Sequence, residues 1–377
     1  MHPEYRVIVL EKSPKLLEKV RISGGGRCNV THACFEPKAL VKNYPRGEAE
    51  LLSPFIRFNP TNTIQWFQKR GVDIKKEADG RMFPVTDNSE TIIECFLAQA
   101  KRLKIEIRLL EGIERLKQEE DLTWRISTNR NQEIMADAVV VTTGSAAKMW
   151  QLLEGVGHMI VPAVPSLFTF NIKDARIEGL SGVALRHAMA SVMQFKLQTE
   201  GALLITHWGL SGPAILRLSA WGARALHECN NQFEVQIDFT GLGLHEVALH
   251  IEKYKLSNPQ KQIGANPLFD IPQRLWKSIF PEKIAAKKWG ETGKKDMNEI
   301  VELLCRATFK VSGKSTNKDE FVTAGGVALK EVDFKTMQSK KAPNLYFAGE
   351  VLNIDAITGG FNFQAAWTTA WVVAQSL

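Results

Sequence analysis

The chain has 377 residues, 44% of them hydrophobic, which is enough for two or three domains with ordinary cores. No apolar run approaches the ~18 residues of a membrane span and no basic start leads into an apolar signal region; five scattered cysteines lack a C-x-x-C pair, so no disulfide framework, zinc site or other metal is indicated and a reducing, cytoplasmic address is expected. The 48 basic and 41 acidic residues give +7, with one local cluster from Lys283 to Lys295 broken by the single aromatic Trp289; its plain reading is a solvated face, and neither membrane nor nucleic acid is the expected partner.

Residues 5–10 read as a strand closed by Glu11 and Lys12. In dinucleotide folds an acid at such a strand end hydrogen-bonds an adenosine ribose, but the G-x-G-x-x-G turn that goes with it lies about 20 residues upstream, and only ten residues precede Glu11. The loop 22–31 then carries Gly24, Gly25 and Gly26 in succession, freeing the backbone to turn its N–H groups toward an anion or a carbonyl, with Arg27 and Asn29 as added donors. A glycine-rich surface loop is the alternative. Cys28 stands where a redox thiol could act, yet Cys34 is not at the spacing of a resolving partner, and a small residue in a cramped loop is the simpler reading.

A helix over 61–70 stops at Gly71, and a second over 89–103 buries Ile92, Ile93, Phe96, Leu97 and Ala100, with Asp87, Asn88 and Ser89 competing as cap. Between them, residues 80–84 read as a turn after Asp79, with Met82 and Phe83 as core anchors and Arg81 free to reach a phosphate. Strands follow at 105–110, 123–128 and 138–142. The last is apolar on both faces, as inside a parallel sheet, and ends at Thr143 and Gly144.

Pro162 and Pro165 bracket an extended linker, after which strand patterns at 168–172, 188–193, 201–206 and 233–239 define an inserted β module, 163–244. Pro213 suits the first position of a helix to Leu226, and His207, just before it, is a weak candidate proton donor. Residues 245–320 form a helical lobe and return segment. Gly325 and Gly326 either pass near a planar ring or hinge a crossover strand. The apolar run 345–348 ends at Gly349 and Glu350, as a parallel strand does when it delivers its end to a ligand crevice. Gly359 and Gly360 let the backbone approach a ring closely, and residues 363–373 have helical spacing with Trp367 and Trp371 four apart. That helix start favours the negative charge of a reduced flavin. The fold expected is α/β, a discontinuous dinucleotide domain made of 1–162 plus 321–377 around the insert.

The segments ISGGGRCNVTH, GRMFPVTD, VVVTTGS, THWGLSGPAIL, FVTAGGVALKEV and LYFAGEVLNIDAITGGFNFQAAW occur in this order. Together they closely resemble the BaiN-like family of FAD-dependent oxidoreductases, from about Tyr5 to the C-terminus. The resemblance implies a Rossmann-type FAD-binding domain carrying an insert with a β-barrel-like and a helical part, and FAD contacts at Glu11 and Lys12, at Gly25, Gly26, Arg27, Cys28 and Asn29, at Thr143 and Gly144, and at Gly349, Glu350, Gly359, Gly360, Phe361 and Asn362. It also implies hydride transfer from NAD(P)H through FAD to an unsaturated small-molecule acceptor held between the FAD domain and the insert.

Two departures qualify the likeness. The family's first strand and G-x-G-x-x-G helix are missing, so a chain truncated at its N-terminus is expected, with the strand at Tyr5 and the one at Leu345 left as unpaired apolar edges. The stretch after Gly144 is short and lacks a second glycine. Two rival readings stay open: a flavin-containing RNA-modifying or RNA-binding protein, suggested by a pI near 9.0 and the lysine cluster, and an inactive remnant.

Overall fold

Parallel pairing of short strands builds the first part of the fold. In the computed structural model, which describes residues 5–315 and 322–377, Ile8–Glu11 lies parallel to Glu106–Leu109, with Ile8 opposite Glu106 and Glu11 opposite Leu109. Val139–Val141 lies parallel to Leu345–Phe347 in a four-stranded sheet whose order continues through Gln338–Ser339 to Val332–Asp333. The strand Leu345–Phe347 therefore has neighbours on both sides. The expectation that it would present an unpaired edge fails, because the return segment before it doubles back and supplies the antiparallel pair Gln338 to Tyr346.

Contacts divide the chain into two units, Met1–Ala163 with Val322–Leu377, and Val164–Phe321. In the first unit the expected helices appear as Pro60–Gln68 and Glu90–Arg102. Asn59 caps the former, its side chain accepting from Thr61 N–H at 2.9 Å. On the latter, Ile92 and Ile93 are fully buried, but Leu97 is exposed and Cys95 takes the inward place. Residues 80–84 are more than a turn. Arg81–Pro84 is the central strand between Thr31–His32 and Ile74–Lys76, and Met82 and Phe83 are buried as core anchors.

In the second unit six strands close a barrel in the order Thr169–Ile172, Gly209–Ser211, Leu197–Ile205, Ala184–Val192, Phe233–Asp238, Ala307–Ser315. Alternate residues face inward, among them Phe170, Ala190, Val192, Val235, Ile237 and Phe309. The sixth strand comes from the stretch expected to belong to the helical lobe; without it the strands at 169–172 and 233–238 would keep open edges. Leu275, Trp276 and Ile300 of the helices join the barrel residues in one apolar core, so no boundary falls at 244. The helix expected to run to Leu226 breaks at Gly222 into Pro213–Trp221 and Ala223–Glu228. The end of the polar stretch, residues 316–321, lies outside the described residues.

The C-terminal helix Phe361–Ser376 is the hub of the first unit. Gln364 is fully buried and its Oε1 accepts from the hydroxyls of Thr31 at 2.6 Å and Thr63 at 3.0 Å. Its Nε2 donates to Thr368 Oγ1 at 2.9 Å, and that hydroxyl donates to the Phe58 carbonyl at 2.8 Å. Removing the carboxamide strands two buried hydroxyls. We expect Gln364→Leu to lower the urea unfolding free energy by roughly 2 to 6 kcal/mol, at ~1–3 kcal/mol per stranded group, and Thr31→Val/Thr63→Val/Gln364→Leu to lose less; equal losses would disprove this account.

His158, also buried, holds Nδ1 3.1 Å from Glu331 Oε2 and Nε2 3.0 Å from Ser339 Oγ. Burial pushes its pKa below the ordinary imidazole value, outweighing the opposite pull of Glu331. Burial raises the Glu331 carboxyl, but Lys341, the Met159 N–H and His158 together hold it below the usual carboxylate range. Both groups bind protons less readily folded than unfolded. Their stability is complete above about pH 6.5 and is lost as pH falls through the folded values. The urea midpoint should drop between about pH 7.5 and about pH 5.5, and His158→Gln should flatten the drop.

Candidate functional site

The glycine loop is a helix interrupted by its own sequence. Glu18–Gly26 leaves helical geometry at Ser23, and Gly24, Gly25 and Gly26 follow with φ of 58°, 68° and 82°. Three successive left-handed residues are tolerated because none has a Cβ. A Cβ on Gly24 would lie 2.9 Å from the Phe83 ring, so that glycine is needed for packing, whereas Gly25 and Gly26 have nothing within 4 Å and form an open shelf. The shelf is fixed from behind: Cys28 and Val30 are fully buried, Cys28 N–H donates to Ser23 O at 3.0 Å, Val30 N–H to Met82 O at 2.9 Å, and Ser89 N–H to Gly26 O at 2.8 Å.

Burial pushes the Cys28 thiol up to about 12, so it is protonated at neutral pH and serves as packing. The Arg27 guanidinium is directed at carboxylates, 2.6 Å from Glu77 and 3.4 Å from Asp87, and lies 4.0 Å from the centre of the Phe83 ring. Of the loop's expected donors, Arg27 is thus engaged within the protein and Asn29 has another task.

Asn29 joins the two glycine motifs. With its amide oriented by the hydrogen-bond network, Oδ1 accepts from Gly360 N–H at 2.9 Å and Nδ2 donates to Thr31 O at 3.1 Å. Gly360, at φ 92°, caps the C-terminal helix, and a Cβ there would sit 2.5 Å from the Thr31 carbonyl oxygen. Gly359 lies against the rings of Phe361 and His32, which stack on each other with centroids 4.5 Å apart. The Tyr44 hydroxyl donates to Phe361 O at 2.6 Å, and Asn362 clasps Ala356, accepting from its N–H at 2.9 Å and donating to its carbonyl at 3.2 Å. Asp355, fully buried in the same loop, is held by a two-point contact with Arg46.

A second group gathers at the ends of the parallel strands. Ala348 N–H donates to Val141 O at 3.1 Å, Gly349 N–H to Thr369 Oγ1 at 3.0 Å, and a Cβ on Gly144 would meet Glu350 Oε2 at 3.8 Å. Lys19 Nζ stands 3.6 Å from Glu350. Thr143 is exposed beside Gly144. Glu11 ends its strand with Oε1 accepting from Ser13 N–H at 2.7 Å, and Lys12 lies beside Gly112.

Other expected residues lie elsewhere. Gly325 and Gly326 serve chain packing: a Cβ on either would meet backbone, at 2.7 Å from Ala163 and 2.5 Å from Val351 O. His207 is exposed at the turn between two barrel strands of the second unit. The lysine cluster is partly neutralised, with Lys283 3.2 Å from Glu299 and Lys287 2.7 Å from Asp296. Tyr44 and Arg46 escaped the sequence reading, and Thr31, His32 and Gln364 lay inside the quoted segments without an assigned role. Only Gln364 carried a signal, a carboxamide flanked by Phe363 and Ala365 in a mostly apolar helix.

Residues 1–376 match the family described as HI0933-like protein Rossmann domain. A ribosomal RNA dihydrouridine synthase of Haemophilus influenzae is 26% identical over 388 residues, covering 98% of this chain and 92% of that protein. A 3-dehydro-bile acid delta(4,6)-reductase of Clostridium scindens is 25% identical, with coverage of 98% and 92%. Among solved structures, 3-ketosteroid-delta4-(5alpha)-dehydrogenase from Rhodococcus jostii RHA1 aligns at 11% identity with a TM-score of 0.47 over 98% of this chain and 92% of that one.

The two glycine motifs should respond differently to a methyl group. Gly25→Ala meets only the left-handed backbone cost of ~1–2 kcal/mol, whereas Gly360→Ala adds a collision with Thr31 O. Thermal unfolding should show the larger loss at Gly360; a reversed order would contradict the seam described here.

Proposed function

The chain belongs to the HI0933-like protein Rossmann-domain family of FAD-dependent oxidoreductases, and from that premise we propose that it passes hydride from NADH or NADPH to an organic acceptor whose C=C bond is conjugated to a carbonyl. The observation that carries this reading is the bond from Asn29 to Gly360, which sets two glycine motifs from opposite ends of the chain against each other. The Cβ-free shelf of Gly25 and Gly26 suits a cofactor whose phosphates need backbone N–H groups. On this reading Glu11 and Lys12 hold the adenosine end, and the loop from Gly25 to Asn29 lies along the cofactor. Thr143, Gly144, Gly349 and Glu350 line its middle, and Gly359, Gly360, Phe361 and Asn362 its ring.

Bound FAD supplies two-electron chemistry that no side chain has. The protein's own part is orientation and charge. The first turn of the C-terminal helix directs unpaired N–H groups and a positive dipole end beside Gly360. The Arg46–Asp355 pair and the Asn362 clasp hold the preceding loop to one shape, and the buried, protonated Cys28 packs the glycine loop from behind.

Conjugation to a carbonyl is the feature that the names of the two relatives share: a 3-dehydro-Δ4,6 bile acid and the uracil ring of uridine both carry it. The ribosomal RNA relative favours a second acceptor reading, a uracil base in RNA. Both predict the same donor half-reaction.

The purified chain should be yellow and release FAD; under anaerobic conditions one equivalent of NADPH or NADH should bleach the flavin, and further turnover should occur only when a Δ4-3-ketosteroid or a uridine-containing RNA is supplied. Gly26→Ala should weaken FAD binding at least about tenfold, or ~1.4 kcal/mol, while the far-ultraviolet spectrum stays unchanged. A folded, colourless protein to which FAD does not bind would sink the proposal.

A further inference from the structure

A cleft of about 300 Å³ opens in the first unit between the helices Glu48–Arg57, Pro60–Gln68 and Phe361–Ser376, away from the residues assigned above. Its wall is basic and aromatic, with Arg57, Gln65, Trp66, Lys69, Arg70 and Trp371, and it includes no acidic side chain. Arg70 sits over the ring of Trp66, its Cζ 3.7 Å from the ring centre, with Nη1 donating to Trp66 O at 2.8 Å and Nε buried without a hydrogen-bond partner. Trp371 stacks one face on Phe58 at 5.3 Å, and Arg57 approaches its ring at 5.5 Å. Lys69 and Gln65 are exposed. The titratable groups that act on Arg70 are Cys95 and Arg102, so no carboxylate cancels its charge.

This composition differs from that of the lysine cluster. The lysine cluster of the second unit is interlaced with Glu299 and Asp296, whereas here three cations stand among two indoles with no acid. Planar surfaces separated by cations match the alternation of bases and phosphates in an unpaired strand. An acidic peptide would use the cations and leave the indoles without a role.

We propose that this cleft binds a segment of single-stranded RNA, with phosphates on Arg57, Lys69 and Arg70 and bases stacked on Trp371 and on the Arg70–Trp66 pair. It names the substrate class of the oxidoreductase proposed above and rests on that reading for its chemistry, but not for binding, which needs no turnover.

The test uses the full chain and a fluorescein-labelled 12-nucleotide single-stranded RNA, with binding followed by anisotropy across a salt series and bound flavin by absorbance in the same samples. Arg57→Glu/Lys69→Glu changes two exposed side chains and should lower RNA affinity at least tenfold. The slope of log K against log salt should flatten by about 1.4, two phosphates' worth. Lys294→Glu/Lys295→Glu, equal in charge change and placed on the second unit, should alter affinity less than twofold. The inference is overturned if the wild-type chain does not bind the RNA, if the two double variants weaken binding equally, or if the cleft variant raises the KM for NADPH while RNA affinity is unchanged. RNA binding retained in a protein without flavin would support the cleft and count against the flavin reading alone.

Discussion

One buried carboxamide organises the first unit. Gln364 has no access to solvent, and a carboxamide in that position is costly unless its polar atoms are satisfied. Two threonine hydroxyls from separate segments satisfy its oxygen, and Thr368, one turn along the same helix, takes a hydrogen from its nitrogen. The direction of these bonds fixes how the C-terminal helix is rotated and how far it slides. An apolar helix face alone tolerates several rotations; a face carrying Gln364 and Thr368 accepts one.

The glycine seam follows from that placement. Once Thr31 is bonded to Gln364, its carbonyl lies where a Cβ on Gly360 would be, and Asn29 is left within reach of the Gly360 N–H. Trp367 Nε1 donates to Val30 O at 2.9 Å, and the stack of Phe363 on Trp367, with Phe96 beside it, closes the core behind Cys28 and Val30. Residues more than 300 positions apart thus share one rigid wall. An electron carrier requires such a wall, because its rate depends on how constant the distance to donor and acceptor is.

The inserted unit solves a different problem. Its six strands leave no free edge, and helix residues such as Ile215 and Trp276 fill the same core as barrel residues such as Phe170 and Val235. It has a hydrophobic core of its own.

The sequence by itself determined the family and most of the element types. Period-two patterns marked most barrel strands, helical spacing marked the helices around Ile92 and Trp367, and the two glycine clusters marked the candidate site, because glycine in series has few purposes other than close approach of backbone. It also made Cys28 a packing residue, which burial explains. Tertiary structure alone decided which glycines are open and which are crowded: Gly25 and Gly26 read no differently from Gly325 and Gly326 until a neighbouring backbone fills the space. It decided that Arg27 faces Glu77, that Arg81–Pro84 is a strand, that Leu345–Phe347 is paired on both sides, and that 307–315 closes the barrel. Each of these depends on partners distant in sequence, and local pattern carries no information about a partner that is brought near only by the fold.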